Sequence, residues 1–151
     1  MSELLQALYR GDERRARELA AGAELDIFEA ASLGETERLR ELLDGDPALA
    51  GKRSEDDFTA LHYAAFFDGP EAVRLLAERG ADVNAFADNE LGVHVLNSAA
   101  AAGERETVLV LLEHGANPNA RTRNGLSALD AAAANGDQEL AELLRAHGAV
   151  D

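Results

Sequence analysis

The sequence repeats itself along its whole length with a period of about 34 residues, and this feature constrains the fold more than any other. One predicted turn residue marks each repeat, namely Gly11, Gly34, Asp68, Gly103 and Gly136, and the successive spacings are 23, 34, 35 and 33 residues. Seven residues before each of these positions lies leucine or isoleucine, four residues before it lies alanine, and eight residues after it lies leucine. Agreement at three separate offsets predicts five similar units.

Each unit is predicted to be a pair of helices joined by a tight turn. In the second helix the apolar residues follow an i, i+3, i+4 pattern, as in Leu39, Leu42 and Leu43, which is typical of one buried helical face. The first helix contains adjacent alanines, whose small side chains let neighbouring helices approach closely. The candidate N-caps and the glycines that follow predicted helix ends fit the same division; these are Thr59, Ser127, Gly80, Gly115 and Gly148.

Short motifs recur in the same places of successive units. TALHYAA at 59–65 is close to a T-P-L-H-x-A signature, and GADVNA at 80–85 and GANPNA at 115–120 are alternative forms of one turn. In these motifs the chain resembles the ankyrin repeat family, and the resemblance covers nearly all of it. It implies an all-α fold, an α-solenoid of about five stacked helix-turn-helix repeats with short hairpin-like turns between them. We expect a single domain, 1–151, with units at approximately 1–23 (an N-terminal cap), 24–56, 57–87, 88–121 and 122–151.

The units do not match the family pattern equally. The fourth unit has His94 where the family has threonine and Asn97 where it has histidine, and the last unit has Asp130 at the histidine position. The spacing of 35 residues into the fourth unit indicates a two-residue insertion within 88–92, so we expect a distorted turn there. After Leu43 the second unit lacks a GAD-type turn, so its connection to the third unit should be longer and less regular.

The composition includes few residues of the types that enzymes use for catalysis. Without cysteine the chain has no disulfide, no thiolate metal ligand and no cysteine nucleophile. His62 lies in the repeat signature and is expected to be structural, while His114 and His147 precede a glycine at a helix end, where the helix dipole favours imidazolium. His94 is unexpected, but no nucleophile elbow, HExxH motif or glycine-rich phosphate loop accompanies it. We therefore expect no enzyme, no metal and no cofactor.

Acidic residues outnumber basic ones by 29 to 14, which gives a formal net charge of −15. Phosphate backbones and anionic lipid surfaces would be repelled, so neither nucleic acid nor a membrane is an expected partner. No apolar run is long enough for a signal-peptide core or a membrane span. We expect a soluble protein of the cytoplasm.

The resemblance implies a surface that binds another protein. Ankyrin-type stacks use the concave side formed by turn tips and first helices, and the family's variable contact positions flank those tips and follow each alanine pair. On this chain the candidate partner-binding residues are Glu55, Asp56, Phe58, Phe66, Phe67, Glu90, Leu91, Val93, Arg123, Asn124 and Leu126. The function we expect is a non-catalytic protein–protein interaction module that binds its partner through the concave face.

Phe66 and Phe67 are the most informative candidates. Adjacent helical positions do not face the same interface, so at least one ring should be accessible. In one interpretation both rings pack against Tyr63 and the neighbouring unit; in the other, one of them is a binding anchor of the kind that dominates interface energy. Phe58 and Leu126 are weaker candidates, because an apolar residue before the Thr or Ser position is common in this family for packing alone.

The acidic run Glu55, Asp56 and Asp57 lacks the ligand spacing of a calcium loop and is expected to be a solvated turn. Together with the net charge it indicates a partner with a basic surface. Two other functions stay open: a self-associating scaffold that uses the same surface or the C-terminal end, and an acidic decoy of nucleic acid, which would need a longer carboxylate ladder. We expect a monomer, with a homo-oligomer as the alternative.

Overall fold

The computed structural model describes residues 1–151 and contains ten α-helices, one 3-10 helix and one pair of short antiparallel strands. The helices are α1 (Glu3–Tyr9), α2 (Glu13–Ala20), α3 (Ile27–Leu33), α4 (Thr36–Gly45), α5 (Ala60–Phe67), α6 (Pro70–Glu78), α7 (Val95–Ala101), α8 (Arg105–Glu113), α9 (Ala128–Ala134) and α10 (Gln138–Ala146). The 3-10 helix spans Pro47–Gly51, and the strands are β1 (Phe86–Ala87) and β2 (Val93–His94). The predicted all-α class is confirmed.

The helices form five successive pairs, α1/α2 to α9/α10, that stack in chain order. The odd-numbered helices pack against one another in sequence and form an inner layer, while α4, α6 and α8 pack against one another in an outer layer. Leu61 of α5 and Leu96 of α7 are 0% and 1% exposed, and Leu76 and Leu111 of the outer helices are fully buried. Since one helix pair cannot cover such side chains by itself, the stack is held by contacts between neighbouring pairs. The predicted α-solenoid is confirmed.

Side-chain caps begin the inner helices at the predicted places. The Thr59 hydroxyl accepts a hydrogen bond from the backbone N–H of His62, and Nδ1 of His62 accepts one from the backbone N–H of Thr59 at 3.2 Å. Ser127 and Asp130 form the same reciprocal box at the start of α9. Both predicted N-caps are confirmed, and each box fixes the direction in which an inner helix leaves the preceding turn.

Hairpin-like turns precede α5, α7 and α9. In the first and third of them isolated bridges join residues six positions apart, which are Arg53 with Thr59 and Arg121 with Ser127. In the second, Phe86 pairs with His94, eight positions apart, and the turn forms the strand pair β1–β2. The predicted two-residue insertion is therefore confirmed. The connection before α5 is irregular, as expected, and contains the 3-10 helix Pro47–Gly51.

Asparagine side chains tie successive turns together. The Asn84 amide donates to the carbonyl oxygen of Gly115 at 3.1 Å and accepts from the backbone N–H of Asn117 at 2.7 Å. Asn119, one repeat later, makes the corresponding pair of bonds to the chain after α10. Because both asparagines hold backbone groups of the next turn, they set the spacing of the surface that the turns form.

Candidate functional site

An open groove of about 350 Å³ lies along the inner layer, and we call it the inner groove. Residues of α1, α5, α7 and α9 and of the turns before the last three of these helices line it. Four of the six large apolar side chains that are exposed on this chain lie in the groove, namely Tyr9, Phe66, Leu91 and Leu126, and their exposure ranges from 42% to 59%. Apolar side chains gathered on one surface are typical of an interaction site.

One end of the groove is an aromatic cluster, which consists of Tyr9, Phe58, Tyr63, Phe66 and Phe67. The rings of Tyr9 and Phe67 meet edge to face with centroids 5.0 Å apart, and Phe66 and Phe67 do so at 4.8 Å. Phe58 and Tyr63 form a further edge-to-face pair at 5.6 Å. Such pairs hold each ring in a defined orientation, so the cluster is a firm wall of the groove.

Alanines form the floor next to this wall. Ala101 at the end of α7 and Ala134 at the end of α9 lie two residues before a repeat turn, as Phe66 does in α5. The change from phenylalanine to alanine at one repeat position lowers the surface in the fourth and fifth helix pairs. The groove therefore exists because equivalent positions of neighbouring repeats carry side chains of very different size.

The turns before α7 and α9 supply the opposite rim of the groove with Leu91 and Leu126. Gly92 adopts a φ of +56° where these two turns meet, and a Cβ there would lie 2.5 Å from the Cβ of Arg123. The backbone N–H of Arg123 donates to the Gly92 carbonyl oxygen at 2.8 Å, and its guanidinium pairs with Asp88. The two turns are thus fastened to each other, which fixes the rim.

His62 lies beneath the groove and links the third helix pair to the next turn. Its side chain is 2% exposed, and since Nδ1 accepts from Thr59, the protonated Nε2 donates to the Val93 carbonyl oxygen at 3.2 Å. Burial lowers the pKa of His62 to about 4, an effect that the bond to Val93 partly offsets. The imidazole is therefore neutral at pH 7, and both of its nitrogens are occupied.

One carboxylate, that of Asp130, lines the groove, and a second, that of Asp56, lies near its aromatic cluster. Asp130 accepts hydrogen bonds from the backbone N–H and the hydroxyl of Ser127 at 2.8 and 3.0 Å, and these bonds lower its pKa. Asp56 lies near the aromatic cluster. Burial raises the pKa of Tyr9 and of Tyr63, and the charge of Asp56 raises both further. Negative charge therefore borders an apolar surface.

The inner groove brings together six of the predicted partner-binding residues, which are Phe58, Phe66, Phe67, Leu91, Val93 and Leu126. Phe66 is 50% exposed, so the interpretation that buries both phenylalanines is wrong for it, whereas Phe67 is partly buried against the core. Phe58 is 9% exposed and packs on Tyr63, so packing accounts for it.

The other predicted residues lie on the turns outside the lining of the groove; these are Glu55, Asp56, Glu90, Arg123 and Asn124. Glu55 pairs with the amino group of Met1 at 3.2 Å, and Arg123 is engaged with Asp88. Glu90 and Asn124 are exposed. None of the five forms the surface of the groove.

Tyr9 is the main groove residue that the sequence reasoning missed, because the first unit was expected to be only a polar cap. A signal was present, since Tyr9 lies two residues before its turn glycine, as Phe66 lies two residues before Asp68. Ala131 lies five residues before its turn glycine, as Tyr63 lies five residues before Asp68, so the alignment of repeats also indicates Ala131. Asp130 appeared in the sequence only as a departure from the family signature. Aligning the weak first unit with the third would have found the aromatic wall.

His114 and His147 each bond to the helix that precedes them. Nδ1 of His114 donates to the Val110 carbonyl oxygen at 2.8 Å, and Nδ1 of His147 donates to the Leu143 carbonyl oxygen at 2.9 Å. The structure contains no group of three or more His, Asp or Glu side chains arranged to hold a metal ion. None of its helices combines the length and the apolar character that crossing a membrane requires.

Comparison with known proteins identifies relatives of this architecture. The probable E3 ubiquitin-protein ligase XBOS31 of Oryza sativa subsp. japonica is 40% identical over 106 residues, which cover 66% of this chain and 23% of that protein. Ankyrin repeat and SAM domain-containing protein 6 of Rattus norvegicus is 35% identical over 103 residues, 68% of this chain and 12% of that protein. The chain thus spans less than a quarter of the length of either relative.

Two family models match the chain itself. A model described as ankyrin repeats in three copies matches residues 4–87, and one described as ankyrin repeats in many copies matches residues 96–145. The first alone covers more than half of the sequence, and the two together take in all of the inner helices except the first residues of α1 and α7. The stacked helix pairs, their capping boxes and these matches establish that the chain belongs to the ankyrin repeat family.

Proposed function

We propose that this chain is a non-catalytic module that binds another protein in the inner groove. Ankyrin repeats generally mediate protein–protein interaction. The observation that carries the proposal is that four exposed apolar side chains lie together in one groove, while the hydrophobic core of the chain is buried. The four are Tyr9, Phe66, Leu91 and Leu126. Leaving four large apolar side chains in water is unfavourable, and a partner that covers them gains about 25 cal/mol per Å² of apolar surface.

The shape of the groove supports a protein as the ligand. It extends over the first, third, fourth and fifth helix pairs and is open along the inner layer. Its aromatic wall supplies rigid rings, and the turn rim supplies aliphatic side chains that are fastened through Arg123 and Gly92. Aromatic side chains in a preformed surface are the residues that most often dominate protein interfaces.

Three substitutions test the proposal, and two of them form a matched pair. Leu126→Ala shortens a 55% exposed aliphatic side chain in the groove, and Val150→Ala shortens a 65% exposed one outside it. Affinity capture from the native host identifies the partner, and titration then measures the dissociation constant for each variant. We expect Leu126→Ala to weaken binding by about tenfold and Phe66→Ala by about thirtyfold, with little change for Val150→Ala. Equal affinity of all variants would contradict the proposal.

A further inference from the structure

The lining of the inner groove combines apolar surface with negative charge. Eleven of the seventeen residues that line it are hydrophobic, and none of the seventeen is lysine or arginine. Asp130 is the acidic residue among them, and His62 is neutral at pH 7 because burial lowers its pKa. A ligand that fills this groove therefore meets a carboxylate and no cation in its walls.

The carboxylate of Asp130 has capacity for a donor from outside the chain. The hydrogen bonds from the Ser127 N–H and hydroxyl both reach Oδ2, and Nη1 of Arg121 approaches that same oxygen at 3.8 Å. Oδ1 receives none of these contacts, and the side chain is 50% exposed. The Ser127 bonds hold the carboxylate in one orientation, so an incoming ammonium or guanidinium group finds a fixed acceptor.

Asp56 offers a second carboxylate beside the aromatic cluster. Its neighbours Glu55 and Asp57 form ion pairs with the Met1 amino group and with Arg53, whereas the exposed carboxylate of Asp56 forms none. The faces of aromatic rings also attract cations, more strongly where water is excluded. This end of the groove therefore favours a lysine or arginine side chain of the ligand.

The total charge selects among possible occupants. A second copy of this chain would bring another −15 to the groove, and the repulsion opposes self-association. A basic ligand is attracted by the whole chain, by the Asp56 carboxylate and by Oδ1 of Asp130. We propose that the occupant is a basic amphipathic segment of another protein, whose apolar side chains contact Phe66, Leu91 and Leu126 and whose Lys or Arg side chains pair with Asp56 and Asp130. This inference rests on the proposed function and adds the chemical class of the partner.

Two synthetic helical peptides test the inference directly. They share one face of leucine and phenylalanine, and the opposite face carries lysine and arginine in one and glutamate in the other. Fluorescence anisotropy measures the affinity of each for the full chain. We expect the basic peptide to bind at least about tenfold more tightly, with an affinity that falls as salt rises from about 50 to about 300 mM.

Matched charge variants separate a local effect from a general one. Asp56→Asn with Asp130→Asn and Glu113→Gln with Glu142→Gln remove the same total charge. Only the first pair lies in or near the groove, since Glu113 and Glu142 are exposed on α8 and α10 and do not line it. An amide is tolerated at the Asp130 position, because Asn97 fills the corresponding place in α7. We expect the first pair to weaken binding of the basic peptide about tenfold and the second to change it less than about twofold. Equal weakening by both pairs overturns the inference.

Other outcomes distinguish this inference from the proposed function. If the glutamate peptide binds as tightly as the basic one and Leu126→Ala weakens both, the inference is overturned while groove binding stands. Failure of the basic peptide to bind also overturns the inference, and the natural partner then decides the proposed function by the Leu126→Ala and Val150→Ala comparison. A dimer in sedimentation equilibrium that Leu126→Ala dissociates places a second copy in the groove and overturns the inference as well.

Discussion

The third helix pair, α5/α6, and the fourth, α7/α8, perform the same structural task with different side chains. In the third pair His62 donates from Nε2 to the Val93 carbonyl oxygen of the next turn. In the fourth pair the Asn97 amide donates to the Ala120 carbonyl oxygen at 3.0 Å, and its oxygen accepts from the backbone N–H of His94 at 2.9 Å. Each side chain caps its own helix and ties it to the following turn. The position thus requires one acceptor and one donor, and it does not require an imidazole.

The last repeat extends this comparison. Asp130 keeps the capping function, because its carboxylate accepts from Ser127, but an ionised carboxylate has no proton to donate to a following turn. The three residues at this one position therefore share the capping function, while only His62 and Asn97 also donate to the next turn.

The fourth pair satisfies its polar atoms less completely than the third. The two buried side-chain atoms without a hydrogen-bond partner, Nδ1 of His94 and Oγ1 of Thr107, both lie in or next to it. At the cap, the third pair has the hydroxyl of Thr59, which accepts from the helix, where the fourth has His94. At the position of Thr107 the third pair has the fully buried Ala72. The difference shows that stacking between neighbours holds a repeat whose local bonding is incomplete.

Removing a core leucine from either pair tests whether stacking supports both equally, and it is the largest effect we expect. Leu61 and Leu96 occupy the same repeat position and are 0% and 1% exposed. Leu61→Ala and Leu96→Ala should each lower the free energy of unfolding by roughly 3 to 5 kcal/mol, because each removes buried methyl groups and leaves a cavity. Urea denaturation measures both. A loss below about 1 kcal/mol for Leu96→Ala alone would show that the fourth pair is loosely packed.

Replacing His62 with asparagine, the residue at the same position of the fourth pair, tests a pH dependence of the free energy of unfolding that only the third pair should have. Burial lowers the pKa of His62 from 6.5 to about 4, with Arg53 and His94 contributing in the same direction and Asp57 opposing. Between these pH values the unfolded chain binds a proton that the folded chain does not. The contribution of His62 to the free energy of unfolding is therefore fully present above about pH 6.5, and it falls by up to about 3 kcal/mol as the pH drops to about 4.

His62→Asn should remove this part of the pH dependence while keeping a donor and an acceptor, as Asn97 does in α7. Urea denaturation of the wild type and the variant across this pH range gives two curves. Their difference isolates His62 from the carboxylates that titrate in both proteins. Parallel curves would mean that His62 is protonated as readily in the folded chain as in the unfolded one.

The caps and turns of the repeats could be predicted from the sequence because they depend on residues close together in the chain. The N-caps Thr59 and Ser127 and the insertion within 88–92 each follow from spacing within one unit. A cap or a turn is a local structure, and its residue preferences are strong. The repeat period then gave the order of stacking.

The inner groove could be predicted only in part. The resemblance pointed to Phe66, Leu91 and Leu126, but the exposure of Phe66 depends on contacts with Tyr9, a residue of another helix pair whose ring centroid lies 6.4 Å away. Asp130 entered the sequence analysis as a departure from a motif, and its place in the groove results from the stacking of α9 on α7. The repeat period identifies equivalent positions of different units, but it does not predict which side chains of those units are in contact.

A substitution in α8 tests whether incomplete bonding costs the fourth pair stability, with an expected effect of about 1 kcal/mol. Thr107 is fully buried, and its hydroxyl has no partner. Thr107→Val keeps the shape of the side chain and removes the unpaired hydroxyl, so the free energy of unfolding should rise. Ala72→Thr places the hydroxyl at the same position of the third pair and should have the opposite sign. Urea denaturation measures both, and a loss of stability in Thr107→Val would mean that the hydroxyl is satisfied in solution.

The smallest change in the free energy of unfolding is expected when the fourth pair receives the phenylalanine that the third pair has at Phe66. Ala101 is exposed at the position that corresponds to Phe66, so Ala101→Phe should alter the free energy of unfolding by less than about 0.5 kcal/mol. The added ring fills the floor beside the aromatic cluster and should weaken binding of the basic peptide by about tenfold or more. Ala102→Phe, one residue further and also exposed but outside the lining, is the control and should leave the affinity unchanged. If Ala101→Phe strengthened binding, the ligand would use the groove as an aromatic surface and not as a space to be filled.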